Sequence, residues 1–238
     1  MKRAIIVGAT SGLGRGLAKL LAENDYKVGI TGRRAGILEE IRTEKPGNYC
    51  VETFDVTDTQ NIRGHLNRLT QELGGLDLLV ISSGTGDLNY SLDFGIEKTT
   101  IDTNVSGFTA IADWAFNYFV EQKHGHLVGI SSLAGLRGNG QSPSYSATKA
   151  YQINYMECLR NKAHKTSLPV FVTDIRPGYV DTNMAKGPGL FWVQPVNKAA
   201  GQIFKAIQRK RKIFYVTRRW RWIAWIMIST PNWIAERI

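Results

Sequence analysis

Cysteine is scarce in this sequence, and the two that occur lie far apart. Among 238 residues, Cys50 and Cys158 match neither a disulfide framework nor the spacing of a metal or redox motif. Disulfide-stabilised secreted domains and cysteine-ligated zinc modules are therefore excluded as interpretations. We expect a chain that works reduced, in the cytoplasm.

Long apolar runs are lacking as well. The uninterrupted apolar run near the C-terminus, residues 222–228, has seven residues. A helix that spans a bilayer needs about 20, so a span is not expected there. The apolar run after Met1 is too short for a signal peptide and predicts a strand. With 43% hydrophobic and 21% charged residues, the chain is expected to fold as one large domain.

Acidic residues are almost missing from the C-terminal part. From Lys205 onward there are nine basic residues and one acid, Glu236, so this part carries eight of the ten net positive charges. The basic character therefore belongs to the end of the chain and not to the whole fold.

Short apolar runs alternate with helical patterns along most of the chain. Strands are predicted over 4–9, 27–32, 49–56, 76–84, 125–132, 169–178 and 212–217, and helices over 13–24, 59–73, 97–122, 144–167 and 197–208. The strand runs show little alternation, which is typical of strands that are buried on both faces. The order predicts an α/β fold with one doubly wound parallel sheet and helices on both faces.

A glycine-rich turn follows the first strand. Gly8, Gly12 and Gly14 in "VGATSGLGRGL" would let backbone amides and a helix N-terminus approach a pyrophosphate. A glycine turn that serves packing alone is the alternative. The second strand ends in "ITGRR", where Arg33 suits a 2′-phosphate and an acid would repel one. This indicates NADP(H) more than NAD(H), unless Arg33 is merely solvated.

Several further motifs follow in a fixed order. They are "FDVTD" (54–58), "ISSG" (81–84), Asn104, Ser132, Tyr145, Lys149 and "RPGYVDT" (176–182). Together with the glycine turn, this order resembles the classical short-chain dehydrogenase/reductase family over about residues 1–185. Two positions depart from the family pattern: Val7 replaces the usual Thr, and only Gly84 matches the usual Asn-Asn-Ala-Gly.

The resemblance implies a Rossmann-like NADP(H) domain that reduces a carbonyl, or oxidises the alcohol, by hydride transfer. The implied catalytic residues are Asn104, Ser132, Tyr145 and Lys149. The implied cofactor-binding residues are Gly8, Thr10, Ser11, Gly12, Leu13, Gly14, Arg33, Asp55, Val56, Ser83, Gly84, Asn104, Tyr145, Lys149, Pro177, Gly178, Val180 and Thr182. No metal is required, and His124 with His126 is interpreted as a pair of polar loop residues. A homodimer or homotetramer is also implied.

The chemistry suits the residues at these positions. Tyr145 and Lys149 share one helix face, so the ammonium is expected to lower the pKa of the phenol, which then donates a proton to the substrate oxygen. An ordinary solvated helical pair is the alternative. The resemblance implies that Ser132 binds the substrate oxygen, with Ser131 as the competing choice. It also implies a proton relay through water for Asn104, unless this residue merely distorts its helix. Asp55 would bind the adenine, while Asp58 or Thr57 could cap the next helix.

The end of the chain leaves three interpretations open. We divide the chain into a catalytic domain, 1–217, with a substrate loop at about 183–200, and a C-terminal segment, 218–238, rich in arginine and tryptophan. This segment could lie on an anionic membrane surface, cover the active site for an apolar substrate such as a keto-lipid, acyl or steroid-like compound, or pack against the body or a sister subunit. Nucleic-acid binding is disfavoured. A nucleotide-binding regulator or scaffold is the competing function.

Overall fold

A single parallel sheet forms the centre of the molecule. The computed structural model describes residues 1–182, 184–185 and 191–235. Its seven strands are β1 (Lys2–Val7), β2 (Tyr26–Gly32), β3 (Tyr49–Thr53), β4 (Leu78–Ile81), β5 (Gly125–Ile130), β6 (Val170–Pro177) and β7 (Ile213–Val216). They are all parallel, in the order β3-β2-β1-β4-β5-β6-β7. The predicted doubly wound α/β fold is confirmed.

Helices cover both faces of this sheet. They are α1 (Gly12–Glu23), α2 (Ala35–Glu44), α3 (Ile62–Leu73), α4 (Phe94–Ile101), α5 (Phe108–Glu121), α6 (Pro143–Thr166), α7 (Val196–Gln208), α8 (Trp220–Ser229) and α9 (Asn232–Ala235). Side chains of alternate strand residues reach two separate cores, one packed under α1 and α7 and the other under α3 and α5. Burial on both faces explains why the strand sequences are apolar throughout.

The predicted helix over 97–122 is wrong in one respect, because it is interrupted. α4 and α5 are joined by a stretch of π-helix, Asp102–Gly107, which contains Asn104. Asn104 is fully buried in this stretch, and its side chain forms hydrogen bonds with Thr85 and Thr148. Part of the interpretation of Asn104 as a helix-distorting residue therefore holds.

The strand order reverses between β1 and β4. β1 pairs with β2 on one side and with β4 on the other. Connections from these strands run in opposite directions, which opens a crevice at their carboxyl ends. The predicted site residues that follow β1, β2, β4, β5 and β6 therefore reach the same edge of the sheet.

The end of the chain returns to the body after the last strand. Helix α8 buries Trp220 and Ala224 in a small cluster with Leu133. Among the described residues, no helix is long and apolar enough to cross a membrane. The predicted substrate loop lies partly outside the described residues, as do the last three residues of the C-terminal segment.

Candidate active site

The glycine turn after β1 is packed too closely for side chains. A Cβ on Gly14 would lie 2.0 Å from the carbonyl oxygen of Gly8, and one on Gly8, whose φ is +88°, would lie 2.6 Å from the amide nitrogen of Ser83. Gly12, with a φ of +54°, faces Thr182, whose methyl group would be 3.2 Å from an added Cβ. Residues from β1, β4 and β6 therefore meet around one cradle at the N-terminus of α1, and this cradle fits a dinucleotide pyrophosphate.

Arg34 lies over this cradle, although the sequence analysis favoured its neighbour. Its guanidinium donates to Thr10 Oγ1 at 2.6 Å and to Ser11 Oγ at 3.0 Å. Thr10 and Ser11 are both predicted cofactor contacts. The side chain of Arg33 is exposed and reaches Asp55 Oδ2 at 3.4 Å. Because β2 ends in "GRR", either arginine can face the crevice, and only the backbone conformation decides which one does.

Asp55 bends back on its own chain after β3. Its Oδ1 accepts hydrogen bonds from the amide and the hydroxyl of Thr57, both at 2.9 Å. Burial alone would raise the pKa of Asp55, but the hydrogen bonds from Thr57 and the charge of Arg33 outweigh it and lower the pKa. The N-cap of α3 is Asn61, so neither Thr57 nor Asp58 caps that helix. Asp55 is thus held as a carboxylate beside the crevice.

Tyr145 and Ser132 lie together at the base of the crevice. Tyr145 is in the first turn of α6, and its ring packs against Gly86, where an added Cβ would lie 2.2 Å from Cδ2. The Ser132 side chain is close enough to the Tyr145 hydroxyl to lower the pKa of that phenol. Ser131, the competing serine, is buried and donates to Asp174 Oδ1 at 2.5 Å. Ser131 is therefore part of the core, and Ser132 is the serine next to Tyr145.

Lys149 lies one helical turn below Tyr145 and is buried. Its Nζ is 5.8 Å from the centre of the tyrosine ring, and it donates to the carbonyl oxygen of Ile130 at 3.0 Å. Burial lowers the pKa of Lys149 to about 8, against the charge of Asp174, which raises it. Lys149 Nζ thus lies near the ring of Tyr145, while its hydrogen bonds go to Ile130 and Gln152.

The pKa of Tyr145 differs from the expectation. Burial raises it, and the influence of the Ser132 side chain offsets only part of that rise. The sequence predicts the opposite direction, because it places the ammonium beside the phenol without showing how deeply both groups are buried. The phenol is therefore fully protonated at neutral pH.

A glutamine that the sequence analysis missed connects Lys149 with Asn104. Gln152 is fully buried; its Oε1 accepts from Lys149 Nζ, and its Nε2 donates to the carbonyl oxygen of Asn104, both at 2.9 Å. The Asn104 side chain donates to the Thr85 carbonyl at 2.7 Å and to Thr148 Oγ1 at 3.1 Å, and it accepts from the Thr85 amide at 2.9 Å. Gln152 stands three residues after Lys149 on the same helix, and this spacing is the one sequence signal that could have revealed it.

The turn after β6 forms the wall opposite the glycine cradle. Gly178, which follows Pro177, lies under the indole of Trp220, so that an added Cβ would be 2.3 Å from the ring. Val180 is buried and pairs in a short bridge with Gln194, and Thr182 closes this turn with a hydrogen bond to the Val180 carbonyl. The predicted residues Gly84, Val56 and Leu13 come from the segments that follow β4, β3 and β1, and Leu13 and Val56 pack against the two cores.

The histidine pair is not confined to a loop. His126 is the second residue of β5, where it is buried and 2.8 Å from Thr173 Oγ1. Its interpretation as a polar loop residue is therefore wrong: β5 begins at Gly125, where the sequence predicts the strand to begin, and His126 belongs to it. His124 is exposed and pairs with Asp77. No metal-binding group of His, Cys, Asp and Glu side chains occurs among the residues with described coordinates.

Comparison with known proteins identifies the family and the fold of this chain. The family model described as short chain dehydrogenase matches residues 2–189. A protein from Myxococcus xanthus (strain DK1622), described as an uncharacterized oxidoreductase, is 40% identical over 188 residues, which cover 77% of this chain and 74% of the relative. A second protein described as an uncharacterized oxidoreductase, Rv0945 of Mycobacterium tuberculosis (strain ATCC 25618 / H37Rv), is 32% identical over 192 residues. The match covers 77% of this chain and 75% of that relative.

Solved structures show the same fold. A short chain dehydrogenase/reductase from Burkholderia phymatum in complex with NAD superposes with a TM-score of 0.83 at 18% identity, covering 94% of this chain and 92% of that one. ElxO with NADP bound has a TM-score of 0.78 at 22% identity, covering 90% and 96%. The fold, the family match and the relatives agree: this chain is an oxidoreductase of the short-chain dehydrogenase/reductase family, with an NAD(P)-binding Rossmann fold.

Proposed function

We propose that this protein is an NADP(H)-dependent reductase that converts a ketone or aldehyde into an alcohol, or catalyses the reverse oxidation. The observation that carries the proposal is the joint position of Ser132, Tyr145 and Lys149 at the base of the crevice, next to the glycine cradle. A bound nicotinamide would supply the hydride for the carbonyl carbon. The chain itself has to hold the substrate oxygen and supply a proton to it.

In this proposal, Tyr145 is the proton donor and Ser132 the second group on the substrate oxygen. A phenol whose pKa is raised by burial stays protonated at neutral pH, so it holds the proton that the substrate oxygen needs, but the same rise makes it a weaker acid. The Ser132 hydroxyl, next to it, would stabilise negative charge that develops on that oxygen. The ammonium of Lys149, over the tyrosine ring, would stabilise the phenolate that remains.

Replacement of Tyr145 by Phe tests the proton donor. The variant keeps the ring on Gly86 but removes the hydroxyl, so we expect kcat for NADPH-dependent carbonyl reduction to fall by about 10²–10⁴. The affinity for NADPH, measured by fluorescence titration, should change little. Reduction at close to the wild-type rate would contradict the assignment. Cofactor binding without turnover on a broad carbonyl panel, by the wild type, would instead favour the regulator or scaffold.

We propose NADP(H) as the preferred cofactor because two arginines follow β2 at the crevice. Arg34 is fixed on the hydroxyls of Thr10 and Ser11, and Arg33 is exposed beside it. Guanidinium groups bind phosphate, and no acid stands at the end of β2 to bind a free ribose hydroxyl. In Arg33→Asp or Arg34→Asp, the ratio of kcat/KM for NADPH to that for NADH should fall. Arg42→Asp, on the exposed side of α2, is the control. If the ratio of NADPH to NADH efficiency were the same in all three variants, the proposed role of Arg33 and Arg34 in NADP(H) preference would be refuted.

We propose an apolar substrate on the basis of the aromatic rings beside Gly178. The centroids of Tyr179, Phe191 and Trp192 lie 5.6, 5.1 and 5.8 Å from that of Trp220. The first three rings are partly exposed to solvent, next to the turn that faces the glycine cradle. A long-chain carbonyl compound could cover them. Phe191→Ala should lower kcat/KM for long-chain aldehydes more than for short ones, and an equal loss for both would contradict this.

We also propose that the protein is a homodimer or homotetramer in the cytoplasm. The location is supported by its two free cysteines, of which Cys158 is exposed. The oligomer is supported by the family alone. Light scattering after size exclusion measures the mass directly, and a monomer at micromolar concentration would refute the oligomer.

A further inference from the structure

Helix α8 presents an apolar face to solvent. Its inner face carries Trp220 and Ala224, which are buried against Leu133. Its outer face carries four large apolar side chains at helical spacing, and they are exposed by 65, 65, 53 and 57%: Trp222, Trp225, Ile226 and Ile228. An exposed cluster of this kind, unlike single scattered apolar residues, marks a surface that binds something.

The body of the protein holds this helix in a fixed orientation. Arg137 follows the 3₁₀ turn after β5, and its guanidinium donates to the Met227 carbonyl at 2.6 Å and to the carbonyl oxygens of Ile228 and Thr230. These are the carbonyl groups that a helix leaves without partners at its C-terminal end. Because Trp220 anchors one end of α8 and Arg137 the other, the exposed apolar face cannot simply turn inward.

The surroundings of this face are positively charged. Arg218, Arg219 and Arg221 are exposed at the N-terminal end of α8. The guanidinium of Arg219 lies 5.0 Å from the ring of Trp192, and that of Arg221 lies 5.7 Å from the ring of Trp222. In the sequence, no acidic residue occurs between Asp181 and Glu236. The outer face thus combines tryptophan, isoleucine and arginine in a stretch of sequence that contains no acidic residue.

This charge decides between the two occupants that an apolar helix face could have. In a two-fold contact with a second copy, each apolar face would meet its own image, and the arginines of both copies would be brought together without acids to pair with them. An anionic lipid surface offers the opposite charge, and indole rings favour the boundary between headgroups and acyl chains. We propose that the outer face of α8 binds the surface of a bilayer containing anionic phospholipids, with the helix axis parallel to that surface.

Cosedimentation with vesicles tests this proposal independently of enzymatic activity. The full-length protein is mixed with vesicles of phosphatidylcholine and phosphatidylglycerol, and with vesicles of phosphatidylcholine alone. We expect binding to the first that weakens as salt is added, and at most weak binding to the second. On binding, tryptophan emission should shift to shorter wavelength, because Trp222 and Trp225 leave water.

Two double variants separate the apolar and the electrostatic contributions. Trp222→Gln with Trp225→Gln should lower the partition coefficient at least about 10-fold, since each indole loses its burial in the interface. Arg218→Gln with Arg221→Gln should lower it about 30-fold, at about 1 kcal/mol for each basic residue near the surface. Lys19→Gln with Arg63→Gln removes the same charge from α1 and α3 and should change binding far less.

Three results would overturn the proposal. The first is equal binding to both kinds of vesicle. The second is unchanged vesicle binding by the double tryptophan variant, provided that its circular dichroism spectrum matches that of the wild type. The third is an oligomer, in the absence of lipid, that these same substitutions convert into monomers, because a second copy would then be the occupant of this face.

Discussion

Gly86 sets the position of the proposed proton donor, and its replacement by alanine is the sharpest test of the site. An added Cβ would lie 2.2 Å from Cδ2, 2.7 Å from Cγ and 3.0 Å from Cε2 of Tyr145. Ordinary contacts between carbon atoms are about 3.5–4.0 Å, so the ring must move by about 1 Å. A displacement of that size at a reacting group costs about 10²-fold in rate.

The backbone itself accepts the substitution. The φ of Gly86 is not in the left-handed region, so alanine adds no backbone strain there. We therefore expect the Gly86→Ala enzyme to fold and to bind NADPH, while kcat for carbonyl reduction falls about 100-fold. Stopped-flow single-turnover rates would show whether the loss lies in the chemical step.

A matched control is provided by Gly138, where an added Cβ meets nothing within 4 Å. Gly138→Ala should reduce carbonyl compounds at the wild-type rate. If Gly86→Ala and Gly138→Ala had similar kcat values, the position of the Tyr145 ring would not matter for the reaction. Our assignment of the proton donor would then be wrong.

Three further predictions concern buried groups. Gln152→Leu removes an acceptor from the ammonium of Lys149, so the pKa of that lysine should fall below its present value of about 8, and the corresponding limb of the kcat–pH profile should move to lower pH. Burial, with the charge of Lys210, lowers the pKa of His126 to about 4. In the unfolded chain the pKa is about 6.5, so the unfolded state binds the proton first and stability should fall by up to about 3 kcal/mol between pH 6.5 and 4. His126→Gln should flatten this part of the curve in urea unfolding, whereas the exposed His124→Gln should not. Trp220→Ala empties a buried aromatic position and should lower the free energy of unfolding by about 3–5 kcal/mol, seen as a lower urea midpoint.

Much of the fold could be predicted because it depends on patterns that are local. Strands that are buried on both faces appear in the sequence as short apolar runs. Glycine is required after β1 because an added Cβ on Gly14 or Gly8 would lie only 2.0 or 2.6 Å from backbone atoms. All seven strands and the start of α6 follow from these patterns. The break between α4 and α5 did not, because a π-helical turn depends on what surrounds Asn104 and not on its neighbours in sequence.

The electrostatic details of the site were out of reach for a similar reason. Sequence spacing places Lys149 next to Tyr145, but it cannot show that Gln152 and the Ile130 carbonyl bind the ammonium instead. Nor can it show that burial raises the pKa of Tyr145 and that Ser132 offsets only part of the rise. The choice between Arg33 and Arg34 likewise depends on the φ and ψ angles after β2.

Trp220 connects two parts of the molecule. Its indole covers the turn at Gly178, and its backbone is part of α8, the helix that we propose to bind lipid. An exchange of residues 218–235 between relatives would therefore also rebuild the substrate side of the crevice. A chimera that transfers the basic helix without a ring of similar size at position 220 should inherit a hole beside Gly178, and with it an altered choice of substrate.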